Sequence, residues 1–121
     1  MREKVKDELR LQHILDAIRV LEQGKQDYNL SEIEANPILL FGFVKHVEII
    51  GEAVYMLSHE FKTQHAEVEW EVIEKMRHVL VHGYYQIRPR QLWDTIDKDI
   101  PLLKPRIEAF LKEERERNAF T

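Results

Sequence analysis

Between Leu40 and Phe61 the large apolar side chains fall at Leu40, Phe43, Val47, Ile50, Val54, Leu57 and Phe61, in alternating steps of three and four. That spacing runs a continuous apolar stripe along an α-helix, whereas a strand would alternate its faces every second residue. A stripe held over three heptads suits a central helix packed on two neighbours, so the rest of the chain has to supply them. Asn36-Pro37 marks where this helix begins, because asparagine is a strong N-cap and proline fits the first helical position.

The flanking segments read as those neighbours. Leu11, Ile14, Leu15, Ile18 and Leu21 predict a first helix from about Lys4 to Gln23, with Gly24 placed to end it. The polar stretch from Lys25 to Asn36 reads as a connection. A His-rich loop from roughly Lys62 to Glu67 leads to a third helix with Val72, Ile73, Met76, Val79 and Leu80 on its apolar side. Arg88-Pro89-Arg90 breaks the chain before a fourth helix carrying Leu92, Ile96, Ile100, Leu103, Ile107 and Phe110, which Pro101 and Pro105 should kink or interrupt. The charged tail, about 112–121, is expected to fray. The expectation is an all-α, up-and-down bundle of four to five helices with a kinked last helix, forming one domain over residues 1–121.

Composition narrows the function. Without cysteine, neither a disulfide framework nor a thiolate metal site is possible. The opening residues Met1 to Glu8 are too charged for a signal peptide, and no apolar run approaches the ~20 residues of a membrane span. These features lead us to expect a cytoplasmic protein with no membrane contact and no cofactor. The net charge of −4 argues against coating nucleic acid by bulk attraction. Its distribution is uneven, however: no acidic residue occurs from Lys75 to Trp93, while Lys75, Arg77, Arg88 and Arg90 are cationic and His78 and His82 can join them. A confined anion site on an acidic protein follows.

Within that segment, Arg77, His82 and Tyr84 form a set suited to phosphodiester chemistry. Arginine offers planar paired donors to phosphate oxygens, and histidine exchanges protons near neutral pH. On an unbroken helix Arg77 and Tyr84 point the same way, but His82 lies about 140° from Arg77. Gly83 offers a way to converge them, since glycine can adopt the left-handed conformation that turns the chain at a helix end. A helix C-terminus would also favour the imidazolium form of His82. The plainer reading is that an arginine and a histidine there cap carbonyls or pair with carboxylates.

Other polar residues are set beside these. Glu74, His78 and His82 recur every four residues, but no further ligand accompanies them, so no metal site is expected. His59 and His65 read as solvated loop histidines, and Tyr85 as packing. Glu52 stands among apolar residues and should meet a base or lie near the cleft, with a structural salt bridge preferred. Gly51 beside it allows another helix to approach closely.

Taken in order, these landmarks resemble the HepT family of the HEPN superfamily, whose signature is Arg, four to six residues, His, any residue, Tyr. Here Arg77, four residues, His82, Gly83 and Tyr84 match it. Leu11 to Ile18, Ile49 to Ala53, Trp70, Leu92 to Ile96 and Asp99 to Leu103 are similar to the remaining helices, so the likeness covers about residues 10–110. Many relatives carry Asp at the position of Gly83 and Asn at that of His78. The resemblance implies a toxin-type, metal-independent endoribonuclease acting on tRNA or mRNA, a homodimer whose two motifs share a cleft. It implies Arg77 and His82 as catalytic residues, Lys75, Arg88 and Arg90 as RNA contacts, and His78 and Glu52 in support. It also implies an MntA-like minimal nucleotidyltransferase antitoxin that silences the toxin by transferring AMP to Tyr84. The alternative is a non-catalytic module that partners and regulates such a transferase.

Overall fold

The computed structural model describes residues 2–83 and 86–119, with side chains from residue 6 onward. The described residues form helices joined by short links: α1 (Arg2–Asp27), α2 (Leu30–Ala35), α3 (Pro37–Met56), α4 (His59–Gln64), α5 (Trp70–His82), α6 (Pro89–Asp94) and α7 (Ile100–Ala119). A π-helical turn, Thr95–Asp99, joins α6 to α7 without a break. The main pairings are α1 with α3, α3 with α5 and α1 with α7, so α3 does lie between two neighbours as its stripe requires. Phe43, Val47, Ile50 and Val54 are buried there against Leu11, Ile14, Ile18 and Leu21 of α1.

Helix boundaries follow the capping chemistry. The Asn36 side chain accepts hydrogen bonds from the Ile38 and Leu39 amides at 3.1 and 3.3 Å, with Pro37 in the first turn. The stripe itself spans two helices: α3 ends at Met56, and Ser58 caps α4, which carries Phe61 back into the core. Asp7 of α1 fixes that junction by accepting from the Ser58 amide at 2.7 Å and its hydroxyl at 2.6 Å.

Several expectations are corrected. Gly24 does not end α1, which runs on to Asp27; a methyl group there would come within 2.7 Å of the Phe43 ring, so the glycine serves helix packing. The presumed connection 25–36 contains α2, closed by a reciprocal capping box between Asn29 and Glu32. His65 is not a solvated loop residue but packs between Phe61 and Phe110, with ring centroids 4.5 and 4.2 Å away. His59 is exposed, as expected.

The last helix is irregular where its prolines predict. In the π turn the Ile100 amide donates to Thr95 O, a wider register placed just before Pro101, which has no amide to donate. Pro105 lies inside α7. The expected frayed tail is instead helical through Ala119, with Glu114 buried and bonded to Arg117 at 3.0 Å and Asn118 donating to Glu8 of α1 at 3.0 Å.

Candidate active site

Arg77 is held by three residues of α3. Its Nε donates to Glu52, its guanidinium carbon lies 4.9 Å from the centre of the Tyr55 ring, and its stem presses on Gly51. Only a hydrogen atom fits at Gly51, because a Cβ there would stand 2.5 Å from the Arg77 Cβ. Glu52 does meet a base. The pair is exposed, where an ion pair contributes no more than about 1 kcal/mol, so orienting the guanidinium is its larger effect. Among the described residues Arg77 donates through Nε alone, so its terminal nitrogens make no hydrogen bond there.

His82 is the last residue of α5 and lies on a different side of it. Gly83 takes φ −120° and ψ 30°, and no described glycine has a positive φ, so the expected left-handed turn is absent. The Gly83 amide instead donates to Val79 O at 2.8 Å, and a methyl on Gly83 would come within 3.0 Å of that oxygen. Close approach explains the glycine. With α5 helical through His82, Arg77 and His82 stay about 140° apart, the first against α3 and the second outward. Gly83 therefore does not converge them within one chain.

On its outward side His82 continues a line of exposed residues, Val72, Lys75 and Val79, spaced by three, four and three. Val72 is 58% exposed and Val79 59%, and with Leu102 they put several apolar side chains on one exposed side. Leu102 of α7 is exposed beside them, lining with Val72 and Met76 a hollow of about 380 Å³. Arg88, at the cap of α6, lines a cleft of about 260 Å³ with Met76, Val79 and Leu80. Arg90, the second residue of α6, is exposed. Tyr84 and Tyr85 lie outside the described residues.

His78 and His82 are in ring contact, with centroids 4.5 Å apart, and Glu74 is taken up by Lys62 at 2.6 Å. Among the described residues no group of three or more potential ligands is placed to hold a metal ion. On the other flank of Glu52 a polar cavity of about 260 Å³ is lined by Arg10, His13, Lys45 and Glu48. Neither these bases nor Tyr55 stood out in the sequence, although Tyr55 lies off the apolar stripe and one turn after Gly51 and Glu52, a position where an aromatic has no core to fill.

The helix bearing Arg77 and His82, the glycine contact beneath the arginine and the apolar stripe of α3 all lie within residues 14–110, which match the family model described as Ribonuclease HepT-like. The chain belongs to that family. Relatives of this HepT-like chain include a protein named as a candidate RNase in Caldanaerobacter subterraneus subsp. tengcongensis, 36% identical over 87% of this chain and 94% of its own length. A probable ribonuclease HepT of Thermococcus cleftensis is 32% identical over 84% of this chain and 93% of its own. A Methanocaldococcus jannaschii protein named for gamma-glutamylcyclotransferase and candidate RNase functions is 31% identical, and this chain matches half of its length. No solved structure matches.

Proposed function

We propose that this HepT-like chain is the toxin of a toxin–antitoxin pair, a metal-independent endoribonuclease that cleaves tRNA or mRNA at a cleft shared by two copies. The observation that carries this reading is the divergence of Arg77 and His82 on α5. One packs against α3, and the other sits on an exposed apolar line, Val72 and Val79, of the kind a second copy would cover. Pairing two chains along that line brings the two His82 side chains toward a common cleft.

Chemistry at such a cleft requires only proton transfer and charge stabilisation. The ribose 2′-oxygen attacks the adjacent phosphorus, its proton passes to one imidazole, and the bond to the 5′-oxygen breaks as a second imidazole protonates the leaving group. A 2′,3′-cyclic phosphate and a free 5′-hydroxyl result. The terminal nitrogens of Arg77, unbonded among the described residues, suit the oxygens of the phosphorane, and Lys75, Arg88 and Arg90 are exposed to hold flanking phosphates. Glu52 orients Arg77, and His78 borders His82. Silencing follows from AMP transfer to Tyr84 by an MntA-like nucleotidyltransferase, which would place a bulky anion where RNA phosphates bind.

The test is cleavage of RNA by purified protein in EDTA, with the product ends identified. His82→Ala should lose ~10²- to 10⁴-fold in rate while remaining folded. Undiminished cleavage by that variant would remove the assignment and favour a non-catalytic module that partners the transferase.

A further inference from the structure

We propose that the open face of Tyr55 is a nucleobase subsite, stacking an unpaired base next to the phosphate held by Arg77. The proposal rests on the ribonuclease reading and adds a substrate class, single-stranded RNA. Tyr55 is 56% exposed, on the outer side of α3, and does not belong to the buried core. One neighbour of its ring is the Arg77 guanidinium, at 4.9 Å, so the arginine and the aromatic form one surface rather than two separate side chains. A phosphate on the terminal nitrogens of Arg77, which bond to none of the described residues, leaves the base of an adjoining nucleotide one sugar away, within reach of the ring.

A polar cavity lies next to this pair, sharing Glu52 with it. Along the outer side of α3, Tyr55 is followed by Glu52 and then by the polar cavity with Arg10, His13, Lys45 and Glu48. Arg10, His13 and Lys45 there can take the next phosphate of a strand, Lys45 by giving up its 3.7 Å pairing with Glu48, while Glu48 and Glu52 oppose a charge set close to them. A strand crossing α3 would thus meet arginine, aromatic and basic cluster in turn, the alternation of stacking platform and cation used by proteins that bind single strands. A base inside a duplex cannot stack there, because both its faces are covered by its neighbours, which leaves only the two end pairs of a duplex to compete.

Fluorescence anisotropy tests the subsite without relying on cleavage. The probes are an eight-nucleotide 2′-O-methyl RNA, which has no attacking hydroxyl, the same length of abasic ribose-phosphate chain, and the octamer annealed to its complement. The parent should bind the base-bearing strand more tightly than the abasic chain or the duplex. Tyr55→Ala should weaken binding to the base-bearing strand roughly 5- to 150-fold and leave the abasic chain unaffected, while Tyr55→Phe retains parental affinity. Equal losses on both single-stranded probes would show that the ring only supports Arg77, and no loss on either would show that it does nothing for RNA; both overturn the proposal. Failure of the parent to cleave unmodified RNA would instead overturn the ribonuclease reading, whatever the binding shows.

Discussion

Arg77 crosses α3 directly over Gly51, so closely that a methyl group on the glycine would lie 2.5 Å from the arginine Cβ and 3.2 Å from its Cα. The first distance matters most, because a Cβ is fixed to its own backbone and cannot swing aside as a side-chain tip can. The register of α5 on α3, and with it the placement of the guanidinium against Glu52 and Tyr55, depends on one missing carbon.

Two glycines of α3 should therefore respond oppositely to the same change. At Gly42 an added Cβ meets nothing within 4 Å, so Gly42→Ala should raise stability by about 0.5–1 kcal/mol through helix propensity. Gly51→Ala gains the same propensity but must push α5 away, and overpacking of that kind typically costs ~1–3 kcal/mol. Urea unfolding midpoints should rise for the first variant and fall for the second. A Gly51→Ala protein as stable as the parent would show that α5 does not press on α3 as described.

The exposed line on α5 predicts an assembly defect from a single substitution. Val79→Asp places a charge where a second copy should cover apolar surface, and an uncompensated charge there opposes association strongly. Light scattering should give about twice the 14.6 kDa chain mass for the parent and the chain mass alone for the variant, with helical content kept and cleavage lost. A Val79→Asp dimer as stable as the parent would place the interface elsewhere.

How much of this was legible in the sequence depends on the range of the interaction that decides each feature. The α3 stripe and the Asn36-Pro37 start are local signals, and both are realised. The Asn29 and Glu32 capping box is equally local, and treating 25–36 as polar linker overlooked it. Gly24 and His65 were misread for a different reason: their roles come from Phe43 and from Phe61 with Phe110, partners remote in sequence. The same holds at the site. Glu52 does meet a base, but as an exposed residue, so the burial that its apolar neighbours implied is not the reason; that pairing and the Tyr55 contact with Arg77 both depend on the register of α5 against α3, which no local pattern specifies.

Lys25 of α1 and Asp97 of the π turn form a pH-sensitive tie between the first helix and the irregular segment ahead of α7. The hydrogen bond from Lys25, then its positive charge, holds the Asp97 carboxyl below the ordinary aspartate value of 3.8. Since the folded value is the lower one, the tie contributes above pH ~3.8 and is lost as the pH falls through the folded value. Lys25→Met should return the Asp97 titration, followed by carboxyl carbon chemical shift, toward 3.8. Unchanged titration in that variant would mean that the two side chains do not meet in solution.

Tyr84→Phe separates silencing from catalysis, because the phenolic oxygen is the atom that would accept AMP, whereas the proton transfers of cleavage are assigned to His82. Co-expressed with a minimal nucleotidyltransferase antitoxin, the parent should carry one or more adenylyl groups on Tyr84, located by peptide mass spectrometry, with none on Tyr85. The Phe variant should carry none, and its toxicity should persist when the transferase is present. Its cleavage without the transferase is the necessary control, since a rate close to the parent's shows that the hydroxyl takes no part in the reaction. A Tyr84→Phe toxin that stayed active and unmodified yet was still neutralised would mean that the partner silences it by contact, and AMP transfer to Tyr84 would no longer be the mechanism of control.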